Sequence, residues 1–155
     1  MKIIFFDIDG TLICGGSELM SESTKEAIRI ARANGHICMI NTGRTKRLVG
    51  KNLTGQVEFD GLLLGCGTEI EYHGKQLMHK TFSMEESKAI LAAMKKYHVD
   101  AVLEGSREDY APRGEEVFTE TFRHMAREIE NRKYDRYANA PGNYDKLYAY
   151  AETPA

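Results

Sequence analysis

The run Lys2-Ile3-Ile4-Phe5-Phe6 constrains the fold of this chain more than any other stretch. It is continuously apolar after one lysine, too short for a helix, and stopped abruptly by Asp7-Ile8-Asp9-Gly10. A strand with one wet face alternates polar and apolar residues, whereas an unbroken run suits a strand buried on both faces, as in a parallel sheet covered by helices. His36 to Asn41 and Gly61 to Gly65, centred on Leu62-Leu63-Leu64, have the same character. Helical patterns lie between them. Ser23-Thr24-Lys25-Glu26 has capping-box spacing, Ala27, Ile28, Ile30 and Ala31 continue an apolar face, and Gly35 supplies a stop. Thr45 to Leu53 reads as a short helix. This β-α-β-α-β order predicts an α/β fold with a doubly wound parallel sheet.

Beyond Gly65 the rhythm changes. Thr68 to Tyr72 and Gln76 to Lys80 alternate, joined by His73-Gly74-Lys75 in the manner of a hairpin. From Ser83 onward, a helix is expected over Met84 to Tyr97, a strand over Ala101 to Glu104, a helix over Val117 to Asn131 and a strand over Lys146 to Glu152. Pro112-Arg113-Gly114 and Asn139-Ala140-Pro141-Gly142-Asn143 mark turns. Residues 1–81 and 82–155 are thus expected to form two units, the second a smaller α+β one.

Composition narrows the class of function. Twenty-one Lys and Arg face 23 Asp and Glu, a net charge of −2, so there is no polybasic footprint for nucleic acid. The 42% hydrophobic and 28% charged content is that of a packed globular chain, and no apolar stretch reaches signal-peptide or membrane-spanning length. A cytoplasmic protein is expected. Cys14, Cys38 and Cys66 lack CxxC spacing and read as reduced thiols, and the five histidines show no metal-binding spacing.

Asp7 and Asp9 stand two apart where the first strand gives way to a glycine-containing loop. The carboxyl ends of strands are where open α/β sheets bind ligands. Such a pair suits phosphoryl transfer: one carboxylate attacks phosphorus and the other handles the proton of the leaving oxygen. Mg2+ would offset the repulsion between the carboxylates and a phosphate. The same Asp-x-Asp-Gly is also an ordinary strand-ending turn. In Met39-Ile40-Asn41-Thr42-Gly43-Arg44, a second buried run ends in residues that could hold a phosphate through the Thr42 hydroxyl, the Gly43 amide and the start of the following helix. Read alone, that stretch is first of all a plain strand-to-helix turn.

Phe6-Asp7-Ile8-Asp9-Gly10-Thr11-Leu12 resembles the first motif of the haloacid dehalogenase superfamily, and Ile40-Asn41-Thr42-Gly43-Arg44 resembles its second. The order of parts is similar to the Cof-like branch, which implies a Rossmann-like parallel core with an inserted α/β cap. By that resemblance Asp7 would be the nucleophile and a Mg2+ ligand. Asp9 would be the general acid and base and would ligate the metal through its main-chain carbonyl. Thr42, Gly43 and the Gly10 amide would hold the phosphoryl group, with Arg44 assisting there or supporting the loop. An acid at the Asp9 position implies a phosphatase or phosphomutase acting on a small phosphorylated metabolite, a sugar phosphate among the candidates.

The superfamily's later lysine and acidic motifs have no counterpart here, and Asp145 and Lys146, inside the cap-like stretch, are not assigned those roles. The core is therefore expected to be incomplete, with further polypeptide, a second chain or a homo-oligomer covering it. A catalytically silent binding or scaffold module is the alternative.

The remaining features read structurally. Cys14 is expected to fill a tight loop, Cys38 to lie in the core and Cys66 to pack at the third strand's end. Ile90, Leu91 and Met94 are spaced as a buried helix face. Arg123, Arg127, Arg132 and Lys133, interleaved with Glu120, Glu128 and Glu130, read as a solvated one. Glu104 to Tyr110, with Arg113, lies on expected turns and is either substrate-facing or solvated.

Overall fold

The computed structural model describes residues 1–114, 117–131, 134–137 and 142–151. Its chain divides into two units, Met1–Lys80 and Thr81–Ala155.

In the first unit the apolar runs become β1 (Ile3–Phe6), β2 (Ile37–Asn41) and β3 (Gly61–Leu64). β1 pairs in parallel with β2, Phe6 opposite Ile40, and β2 with β3, Ile40 opposite Leu62. The antiparallel strands β4 (Glu69–Tyr72) and β5 (Lys75–His79) extend the sheet in the order β1-β2-β3-β4-β5. His73 and Gly74 both take positive φ, the backbone that a tight hairpin turn needs. Helices α1 (Glu22–Ala33) and α2 (Lys46–Thr54) connect the parallel strands. Two steps in one direction with crossovers of one hand place both helices on one face. Ile28 of α1 and Val49 and Leu53 of α2 accordingly share a cluster with Ile8, Cys38, Ile40 and Leu64. The side chains of Ile3 and Phe5 point to the other face and remain 54% and 51% exposed. β1 is also an end strand of the sheet, so among the described residues its outer edge is unpaired.

Two details depart from the sequence reading. The cap of α1 is Ser21, not Ser23: its hydroxyl accepts from the Thr24 amide at 3.1 Å, and Glu22 falls in the first turn, where an acid favours the helix dipole. In α2, Gly50 adopts φ 61° and ψ 159° and breaks the helix, which side-chain periodicity does not register.

The turn before β3 is tied to α1 and β2 through one carboxylate. Arg32 donates from Nη2 to Asp60 Oδ1 at 3.0 Å, and the Cys38 amide donates to Asp60 Oδ2 at 2.8 Å. Burial pushes the Asp60 carboxyl up, but these bonds outweigh it and hold it below the usual carboxylate range. At Gly61 a Cβ would lie 2.5 Å from the Glu71 carbonyl oxygen and 2.6 Å from Met39 Cε, so the close approach of β3 to β4 requires glycine.

The second unit holds α3 (Met84–Tyr97), β6 (Asp100–Glu104), β7 (Asp109–Ala111), α4 (Glu120–Asn131), β8 (Asp135–Arg136) and β9 (Lys146–Tyr150). Ser83 and Glu86 form a reciprocal capping box at the start of α3. The sheet runs β8-β7-β6-β9, with β7 and β8 parallel and the other pairs antiparallel. Leu103 packs with Met94 of α3, and its neighbour Val102, pointing the opposite way, packs with Phe122 of α4. Both faces of this sheet are therefore covered.

The expected helix from Val117 begins only at Glu120, after Thr119, whose hydroxyl accepts from the Phe122 amide at 3.2 Å as a helix cap does. Asp100, fully buried, accepts from the Phe118 amide at 3.1 Å, the Thr119 amide at 2.6 Å and the Thr119 hydroxyl at 2.7 Å. Arg123 pairs with Glu120 at 2.8 Å on an exposed surface, as a solvated face requires. Arg132, Lys133, Asn139, Ala140, Pro141 and Glu152 lie outside the described residues, as do the side chains of Arg127, Glu128 and Glu130.

Candidate functional site

Asp7 is the first residue past β1, and the chain after it curls tightly. The amides of Leu12 and Ile13 both donate to the Ile8 carbonyl at 3.0 Å, and the Gly10 amide donates to the Ile13 carbonyl at 2.8 Å. Ile8, Leu12 and Ile13 anchor the curl in the core, which leaves Asp7 and Asp9 facing solvent. Gly10 has φ 81°, a conformation that a side chain at this bend would strain. Its amide is spent inside the turn, so the expectation that it donates to a phosphoryl oxygen does not fit this conformation. Gly10 serves the site by letting the loop turn.

The neighbouring strand brings the second segment alongside. Because Phe6 stands opposite Ile40 in a parallel register, the residues that follow each strand emerge at one end of the sheet. Thr42 is 4% exposed, and its hydroxyl accepts from the Arg44 amide at 3.2 Å. The Gly43 amide has no hydrogen-bond partner among the described residues and lies exposed. Thr45 caps α2 only through its backbone, and the break at Gly50 shortens the run of aligned peptide dipoles behind it.

Arg44 joins the two segments. Its Nη2 donates to Asp9 Oδ1 at 2.5 Å and its Nε to Asp9 Oδ2 at 2.9 Å, a two-pronged grip across 35 residues of sequence. The hydrogen bonds from Arg44 hold the Asp9 carboxyl below the usual carboxylate range, against a smaller opposing effect of burial. The Asp7 carboxylate has no ion pair or hydrogen bond among the described residues. No hydrogen bond is made there to the Asp9 main-chain carbonyl either. One open carboxylate and one open carbonyl are hard oxygen donors of the kind Mg2+ takes, and a loop exposed to solvent leaves room for the waters that complete an octahedron.

A third loop, which sequence reasoning left at the margin, closes the arrangement. After β3, the Gly65 amide donates to the Arg44 carbonyl at 2.8 Å and the Cys66 amide to the Thr42 carbonyl at 3.2 Å. Glycines on either side of Cys66 were the available signal. Cys66 has φ 60° and is exposed, as is Cys14, so neither thiol fills packing space as expected, while Cys38 is buried in the core. Asp109 and Tyr110, placed on a turn by the sequence, are buried in β7. Lys146 pairs with Glu104 at 2.7 Å, and Asp145 accepts from the Ser106 hydroxyl at 2.6 Å.

Comparison with known proteins adds three findings. The family profile of haloacid dehalogenase-like hydrolases matches residues 4–153. Among solved structures, a hypothetical protein of Geobacillus kaustophilus is 23% identical with a TM-score of 0.67, over 95% of this chain and 56% of that one. A haloalkanoate-superfamily phosphatase of Bacteroides thetaiotaomicron, BT1666, is 20% identical with a TM-score of 0.72, over 88% and 49%. The subclass IIB sugar phosphatase BT4131 is 22% identical with a TM-score of 0.66, over 93% and 56%. The chain thus spans about half the length of these structures, and at such identities the likeness is one of fold. No curated protein matches the sequence.

Proposed function

Because this chain belongs to the haloacid dehalogenase-like hydrolase family, we propose that it carries the phosphoryl-accepting end of a phosphatase acting on a small phosphate monoester. The observation that supports this most is the pairing of an open Asp7 carboxylate with an Asp9 that Arg44 ties to the Thr42-Gly43 loop. In this reading an Asp7 oxygen attacks phosphorus, forming an aspartyl-phosphate as the ester P–O bond breaks. Asp9, ionised while Arg44 holds it, takes up a proton from solvent as the substrate binds and gives that proton to the departing alcohol. It then takes a proton from the water that attacks the aspartyl-phosphate, releasing inorganic phosphate and restoring Asp7. The Thr42 hydroxyl and the Gly43 amide hold phosphoryl oxygens, and Arg44 adds positive charge. Mg2+, held by the Asp7 carboxylate and the Asp9 carbonyl, would supply charge neutralisation at the phosphate.

A sugar phosphate is a reasonable substrate class, since one matched structure is described as a sugar phosphatase. A cytoplasmic location accords with the composition, and among the described residues no helix is long and apolar enough to cross a membrane. The bare edge and face of β1 support a core completed by further polypeptide, by a second chain or by a second copy. A strand added beyond β1 steps away from β2, and the usual crossover hand then lays its helix over Ile3 and Phe5. In domain terms, residues 1–81 are the core portion and 82–155 the cap.

The test is phosphate release from an aryl phosphate with and without Mg2+, by the chain joined to whatever completes its core. Asp7→Asn abolishes turnover, and Asp9→Asn lowers it while sparing Mg2+ binding. Unchanged activity in Asp7→Asn overturns the nucleophile. No activity in any completed form favours a silent binding module, whose support is the bare β1 edge, and transfer of the phosphoryl group back to a sugar favours a phosphomutase.

A further inference from the structure

Arg44 is placed to serve two partners that it cannot hold in full at once. Its fork is laid on both oxygens of Asp9, at 2.5 and 2.9 Å, and its one other recorded side-chain bond is a long 3.4 Å reach from Nη1 to the Leu48 carbonyl. Its backbone is fixed on both sides: the amide donates to the Thr42 hydroxyl oxygen and the carbonyl accepts from Gly65. The side chain therefore swings from a rigid root next to the open Gly43 amide. The pair it makes is not buried, with Asp9 60% and Arg44 29% exposed at the side chain. Water that reaches an ion pair lets an incoming anion compete for it, whereas a buried pair is shut off from such exchange. A phosphate dianion presents the same planar pairs of oxygens as a carboxylate with more charge, and guanidinium binds it in the same two-pronged way.

We propose that Asp9 and an incoming phosphoryl group compete for Arg44, so that the resting site is self-occupied and the arrival of phosphate is what frees the Asp9 carboxylate. Arg44 is then a positioning residue for Asp9 and a binding residue for the anion, in turn. This rests on the reading of the Thr42-Gly43 loop as a phosphoryl site. It adds an order of events: until the anion takes the guanidinium, both Asp9 oxygens are engaged and neither can reach a leaving group.

The experiment is a double-mutant cycle read as binding of inorganic phosphate in magnesium-free buffer, by calorimetry, on the full chain and on Asp9→Asn, Arg44→Ala and the double variant. Circular dichroism checks folding, which an exposed pair leaves intact. Competition predicts that Asp9→Asn tightens phosphate about ten-fold when Arg44 is present, and about two-fold or less, the simple loss of repulsion, when it is absent. It also predicts that phosphate shifts the Arg44 Nε–H resonance in the unmodified chain. Equal gains in both backgrounds, or phosphate affinity unchanged by Arg44→Ala, overturn the exchange and make Arg44 a fixed strut while the phosphoryl site stands. Absence of phosphate binding in every variant, Asp9→Asn included, overturns the exchange together with the phosphoryl-site reading.

Discussion

In the sheet of the second unit, Leu103 is fully buried on one side and Val102 is 6% exposed on the other; in the first unit's sheet, Ile40 is fully buried on one side while Ile3 and Phe5, on the other, stay half in water. The difference follows from how each chain path climbs its sheet. From β1 to β3 the path steps twice in one direction, so α1 and α2 stack on the same face and neither helix covers the other, where Met39 is buried but Ile3 and Phe5 of β1 stay open. In the second unit α3 precedes the sheet and α4 crosses between the parallel strands β7 and β8, so the helices fall on opposite sides. Apolar content alone does not close a core. The direction in which strands are added decides which face receives a helix.

Single substitutions test how differently the two sheets are covered. Leu103→Ala in the closed sheet should cost about 2–5 kcal/mol of stability, as large-to-small changes in a packed core do, measured by urea denaturation with a probe in residues 81–151. A cost under about 1 kcal/mol would mean that this sheet is as loosely covered as its neighbour. Asp60→Asn should cost about 1.5–3 kcal/mol, since it weakens charge-assisted bonds from Arg32 and the Cys38 amide. Its pH signature has a definite sign. A carboxyl held below its unfolded value of about 3.9 contributes fully above that pH and loses its contribution as pH falls through the folded value. The acid limb of the stability curve below about pH 4 should therefore be shallower in Asp60→Asn than in the parent. Phe5→Lys should change stability least, by about 0.5 kcal/mol or less, while lowering self-association in sedimentation velocity, because a charge on an open sheet edge blocks strand addition. Greater loss of stability would show that the Phe5 face is already covered in solution.

The helix Met84–Tyr97 was legible to the residue because Ser83 and the acids after it mark its start and its apolar positions keep one period. The three parallel strands were legible because continuous apolar runs have few other uses. What escaped has physical reasons as well. β7 and β8 span three and two residues, too few for any period, and β7 opens on a buried aspartate that reads as a turn residue. The start of α4 is marked by Thr119, which is held by Asp100, 19 residues away in sequence. In the candidate site, the two acids and the Thr-Gly pair were identifiable by type and order. The position of Cys66 between two glycines at the end of the third strand marked it as a border of the crevice, but the grip of Arg44 on Asp9 and the spent Gly10 amide were not identifiable, because each depends on backbone paths that only the folded chain brings side by side.

The hydrogen bond from the Cys66 amide to the Thr42 carbonyl has a practical consequence. The Cys66 sulfur lies 3.4 Å from where a side chain at Gly43 would begin, yet the thiol is open to reagents. With the other exposed thiol removed by Cys14→Ser, a small environment-sensitive dye at position 66 would sit beside the Thr42-Gly43 loop that we propose holds the phosphoryl group. Its fluorescence would follow ligand occupancy directly, in a chain that need not turn anything over.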